Sequence, residues 1–251
     1  MFGKFNFFTL IKVLFRLVVG TVVILVFSIF IWRFITGKVP EELQVLSPDA
    51  SVVEAYGEHG ESLVLYTQDQ NSITRSEESY GYFTACQAIF IPQANQVQLL
   101  IRYNDSTLEA TERDFALEEG TLDPEKDWYD VTLVVARDLT PDNKEDNLGS
   151  DPESVALSRI VASEVTAAVH EGLYSYRRLI FNGVPQDALT LAVYADFYFV
   201  QDISYLKPEF DIYTDRAYGT LCLYAHTEKN VPLSLSEADV AALEAYIRSN
   251  P

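Results

Sequence analysis

The chain has 251 residues, of which 48% are hydrophobic and 22% charged, so it can bury a core, and disorder or a collagen-like structure is excluded. A formal charge of −19, with a pI near 4.4, argues against nucleic acid as a partner, because that needs a basic surface to displace counterions. Two cysteines exclude a disulfide-dense scaffold and a four-cysteine zinc site.

The total charge hides a division. No acid precedes Glu41, and the first 40 residues hold Lys4, Lys12, Arg16, Arg33 and Lys38. The remainder carries 13 basic residues against all 37 acids, a formal −24. Between the flanking arginines, Leu17 to Trp32 is free of charge, with Leu17, Ile24 and Trp32 marking its start, middle and boundary. With a few apolar neighbours on each side it is long enough for a hydrocarbon core about 30 Å thick, and Arg16 and Arg33 can snorkel to the headgroups. The sequence after it, Arg33-Phe34-Ile35-Thr36-Gly37-Lys38, has no small-residue cleavage site. Residues 1–38 are therefore expected to be a basic segment and an uncleaved transmembrane signal anchor held in a lipid bilayer. The larger basic excess before the span places the N-terminus in the cytoplasm and the acidic domain outside, in a single-pass cell-membrane protein.

Residues 39–50, with Pro40 and Pro48, read as a tether, and residues 51–251 as an extracytoplasmic β-rich domain. Period-two alternation dominates that domain. It runs through Leu63 and Leu65, then through Val97, Leu99, Ile101 and Tyr103, which alternate with Gln96, Gln98 and Arg102. It returns at Val131, Leu133 and Val135, and from Leu189 to Phe199 it gives six apolar positions. Each such strand should turn one face to a core and the other to a wetter surface. Further strands are expected near Val52–Tyr56, Cys86–Ile91, Val155–Ala162, Tyr174–Phe181 and Tyr218–His226. Gly57-Glu58-His59-Gly60, Pro92-Gln93-Ala94-Asn95 and Asn182-Gly183-Val184-Pro185 read as hairpin turns. Ser236, with Asp239 three residues on, caps a C-terminal helix striped by Val240, Leu243 and Ile247. The fold expected is mainly β: an antiparallel β-sandwich with a C-terminal helix, preceded by one transmembrane helix. Its resemblance to Ig-like envelope domains is architectural, and fold does not carry function.

The chemistry is sparse. Asp142, Glu145, Asp146 and Asp151 crowd one loop and are the calcium candidates, but Lys144 falls where an EF-hand places an oxygen ligand, and a solvated acidic loop is the simpler reading. Ser204-Tyr205-Leu206-Lys207 matches Ser-x-x-Lys without its companion motifs and with Pro208 directly after it. Asn104-Asp105-Ser106 fits a glycosylation sequon. Cys86 and Cys222 are the candidates for a disulfide, with two buried thiols as the preferred alternative. All 15 tyrosines lie beyond the anchor, and Tyr174, Tyr176, Tyr194 and Tyr198 are the candidate binding surface, against ordinary cross-strand packing. No motif calls for a cofactor, and no catalytic residue is singled out. The function expected is a binding, sensing or scaffold module of the cell envelope with a protein partner; the alternative is an envelope hydrolase that uses two carboxylates.

Overall fold

The computed structural model describes residues 7–75, 83–125, 128–136, 156–190, 192–199, 219–224 and 231–250. The chain divides into two units, residues 1–40 and 41–251.

The first unit is one helix, α1 (Phe7–Thr36). Its window from Ile11 to Ile29 has a mean hydropathy of 2.3 and none of it is buried, so it is long and apolar enough to cross a membrane.

The second unit is mostly sheet. Three helices precede or interrupt the strands: α2 (Glu41–Gln44), α3 (Ala50–His59) and α4 (Asp105–Asp114); α5 (Glu237–Ser249) follows them. The described strands are β1 (Val64–Asp69), β2 (Thr74–Arg75), β3 (Thr84–Ile91), β4 (Gln96–Tyr103), β5 (Tyr129–Ala136), β6 (Ala156–Val161), β7 (Glu164–Val165), β8 (Val169–Glu171), β9 (Tyr174–Asn182), β10 (Ala192–Phe199), β11 (Gly219–Tyr224) and β12 (Leu233–Ser234). They form two open, antiparallel sheets. One has the order β12-β1-β3-β4-β9-β7 with β8 also on β9; the other runs β2-β11-β10-β5-β6.

Both sheets contribute to one core cluster. Phe90 of β3, Val97, Leu99 and Ile101 of β4, and Leu179 and Phe181 of β9 share it with Val131, Leu133 and Val135 of β5 and Val193, Ala195 and Phe197 of β10. The alternation thus selects the face of this core correctly in β4, β5 and β10. Phe83, Trp128 and Tyr129 add an aromatic group, with Phe83 stacked 5.2 Å from Trp128 and tilted against Tyr129 at 4.6 Å.

Several expectations are corrected. The first concerns the opposite face of β4. Gln96 and Gln98 are 0% exposed and Arg102 9%, although they alternate with the core residues. Residues 43–49 lie across this face as a strap and not as a free tether. The Gln98 side chain pairs with Ser47 as a peptide would: Ser47 N donates to its Oε1 at 2.8 Å, and its Nε2 donates to Ser47 O at 2.7 Å. Arg178 Nη2 donates to the carbonyls of Leu43 and Val45, and Gln96 Nε2 donates to Asp49 Oδ2 at 2.7 Å. A second apolar cluster sits on this side of the sheet: Leu46, Val52 and Ala55 pack with Leu63, Leu65, Ile89, Ile91 and Leu243.

Val52–Tyr56 is helical, not a strand. Asp49 caps α3 by accepting from Val52 N, and Val52 and Ala55 turn inward at helical spacing. Gly57 to His59 accordingly lie in α3 and no hairpin forms there. The Pro92–Asn95 hairpin does form, as a short 3-10 turn closed by Asn95 at φ 51° between β3 and β4. Asn182–Pro185 makes no hairpin: β9 belongs to one sheet and β10 to the other, and a 3-10 turn at Gln186–Thr190 carries the chain between them. The α5 capping box is present: Asp239 N donates to Ser236 Oγ, and Ser236 N to Asp239 Oδ2.

Candidate ligand pocket

Helix α4 had no place in the sequence reading. Asn104 caps it, its Oδ1 accepting from Thr107 N at 3.0 Å, while Asn104 N donates to Thr107 Oγ1. The side chain of the candidate sequon is therefore engaged in a capping box. At the far end, buried Glu112 accepts from Gly120 N and Leu122 N, which folds the following loop back onto the helix.

Where β4 ends and α4 begins, the chain surrounds a pocket of about 480 Å³. That is within the size range of small-molecule sites. Its walls are Arg102 and Tyr103 at the end of β4, Ser106 and Thr107 in the first turn of α4, Arg113 near the helix end, and Tyr174 at the start of β9. Arg102 is held firmly: its guanidinium carbon lies 4.4 Å from the centre of the Tyr174 ring, within cation–π range. Tyr176 is its register partner on β9, and the two tyrosine rings meet edge-on at 6.3 Å. Burial raises the Tyr176 phenol above its ordinary value, against the opposing pull of Arg102. Burial likewise pushes the Cys86 thiol up to about 11, and Arg102 again opposes the shift. Arg113, exposed to solvent, has its Nε 3.3 Å from Asp114 Oδ1.

A second constellation lies at the hairpin of β8 and β9. His170 and Ser175 face each other in register; Ser175 Oγ is 2.8 Å from His170 Nδ1, and His170 Nε2 meets Glu125 Oε1. This Ser-His-Glu chain has the members of a nucleophilic triad. However, Ser175 is only 7% exposed and lines neither this pocket nor the groove below. The hydrogen bonds act as a clasp that ties the hairpin to Glu125.

A groove also of about 480 Å³ runs beside α5, with Leu235, Val240 and Ala241 as apolar walls and Glu61, Glu237 and Glu244 around them.

No family model, curated protein or solved structure matches this chain.

The sequence-derived site residues separate in the structure. Tyr174 joins the pocket and Tyr176 lies against it, but Tyr194 and Tyr198 stand on β10 of the other sheet, so the four make no common surface. Tyr176 and Tyr194 are each 1% exposed, which removes both as contact residues. Burial raises the Tyr194 and Tyr198 phenols as well. Cys86 and Cys222 are unbridged, buried, and on different sheets. The calcium candidates Asp142, Glu145, Asp146 and Asp151 and the Ser204–Lys207 motif lie outside the described residues. Among the described residues no group of three His, Cys, Asp or Glu is placed to hold a metal. Arg102 and Arg113, the cations of the pocket, were not singled out from sequence. The signal available was the Asn104-x-x-Thr107 cap, which starts a helix directly after an alternating strand.

Proposed function

We propose that this chain is a single-pass membrane protein whose acidic, extracytoplasmic β-domain acts by binding, as an interaction or sensing module of the cell envelope. One observation carries the anchor: among the described residues α1 presents its large apolar side chains all round, from Val19 at 44% to Phe27 at 68% exposure. Thirty helical residues measure about 45 Å, enough for a hydrocarbon core of about 30 Å. A bilayer removes this surface from water, whereas a water-soluble monomer rarely keeps so long an apolar rod exposed. Orientation rests on Lys4, Lys12 and Arg16 before the span against Arg33 and Lys38 after it.

The domain is read as a β-sandwich, with an Ig-like architecture as the finer proposal. The support is that two antiparallel sheets share one core cluster. A binding role is supported by the polar, aromatic-walled pocket at Arg102. Alkaline carbonate extraction tests the anchor. The full chain should stay in the membrane pellet, and a variant carrying Ile24→Arg, which places a charge at mid-span at about 3 kcal/mol, should shift toward the supernatant. Full extraction of the unaltered chain would overturn the anchor, and turnover of envelope glycans or peptides by the purified chain would overturn the binding role.

A further inference from the structure

We propose that the pocket between β4, α4 and β9 binds an oxyanion, the carboxylate or phosphate group of a small polar molecule, with Arg102 and Arg113 as its recognition groups. The proposal deepens the binding reading above and rests on it. Two guanidinium groups line one cavity in a domain of formal charge −24. Arginine's planar fork matches carboxylate and phosphate oxygens two at a time. Arg102 is 9% exposed and stacked on Tyr174, so its side chain is already ordered and little freedom is lost when a ligand arrives. Ser106 adds a hydroxyl donor from the first turn of α4, where the helix dipole also favours negative charge, while the Thr107 hydroxyl donates to Asn104 Oδ1 within the cap. The Tyr174 ring gives the body of the ligand a flat apolar wall. Among the described residues Asp114 is the one acid on the pocket wall, and its Oδ1 lies 3.3 Å from Arg113 Nε. Asp105, exposed beside Ser106 in the first turn of α4, opposes an anion there through solvent, and charges farther away than about 8 Å are screened at physiological ionic strength.

The test uses the full chain in detergent micelles and calorimetric titration with inorganic phosphate, malonate and water-soluble dihexanoyl phosphatidate. At least one probe should bind saturably. Arg113→Gln, at an exposed position that leaves the fold intact, should weaken that binding about tenfold, the loss of one charge-assisted hydrogen bond. Asp114→Asn, which removes the competing carboxylate, should tighten it. Preference for the phosphatidate would identify a lipid headgroup as the source of the oxyanion, and preference for phosphate or malonate a free solute; both support the site. No saturable binding of any probe, or equal affinity in the unaltered chain and Arg113→Gln, would overturn it. Because the measurement is made in detergent, a chain that binds phosphate yet washes from membranes keeps this site and loses the anchor.

Discussion

Replacing Asp239 by alanine should unlock the face of the sheet that residues 43–49 cover. Asp239 is buried, and its two oxygens do different things. Oδ1 accepts from Leu46 N at 2.9 Å, in the strap. Oδ2 accepts from Ser236 N at 2.9 Å and Ser236 Oγ at 2.6 Å, closing the α5 cap. Losing the capping interaction costs about 1 kcal/mol. Leaving the buried Leu46 amide without an acceptor costs about 1–3 kcal/mol more. Arg178 is buried nearby, and burial lowers its pKa to about 10 against the opposing charge of Asp239. Removing that carboxylate leaves the guanidinium with carbonyl partners only, which adds in the same direction. The expected loss is about 3–4 kcal/mol for Asp239→Ala and about half that for Asp239→Asn, which keeps one acceptor oxygen. Urea unfolding of the full chain in detergent, followed by near-UV circular dichroism, measures it, with Glu244→Ala on the exposed face of α5 as the control. If Asp239→Ala falls within about 0.5 kcal/mol of the unaltered chain, as surface substitutions do, the strap does not hold and the argument fails.

The same clusters give further expectations. Leu243→Ala, which empties a fully buried position under α5, should cost about 2–4 kcal/mol, whereas Ile247→Ala, on an exposed turn of the same helix, should stay within about 0.5 kcal/mol in the same urea titration. The Cys86 thiol is raised from 9.0 to about 11, and the Tyr176, Tyr194 and Tyr198 phenols are raised too. The folded state then keeps protons that the unfolded state releases, so this stability is complete below pH 9 and declines as pH rises toward 11. The urea midpoint should fall between pH 9 and 11, and a rise over that window would contradict the buried environments. Both thiols being free, a reductant should leave the melting temperature unchanged, and a drop of several degrees on adding it would reveal a bridge.

The core-facing half of this domain was legible because alternation reports one face: Val97, Leu99, Ile101 and Tyr103, and Val131, Leu133 and Val135, all enter the first core cluster. The other face was not. Gln96 and Gln98 look solvated by residue type, and they are buried under a segment some fifty residues earlier in sequence, which supplies their partners at Ser47 and Asp49. Period says which face is inside one cluster, not whether a second cluster covers the other. Val52 and Val53 are β-branched and suggested a strand, yet the Asp49 cap and burial of Val52 and Ala55 decided for a helix. Asn182-Gly183 has hairpin chemistry, but a turn signal does not tell whether the chain stays in its sheet. The pocket was hidden for the same reason: Arg102, Arg113 and Tyr174 are distant in sequence and meet only through the pairing of β4 with β9 and the placement of α4.

Protease added to intact spheroplasts tests the central claim most directly. The account predicts that the acidic domain beyond Pro40 is digested while a cytoplasmic marker enzyme survives, leaving a protected fragment that contains α1. A full-length chain that persists until the cells are lysed would place the domain on the cytoplasmic side and contradict the account.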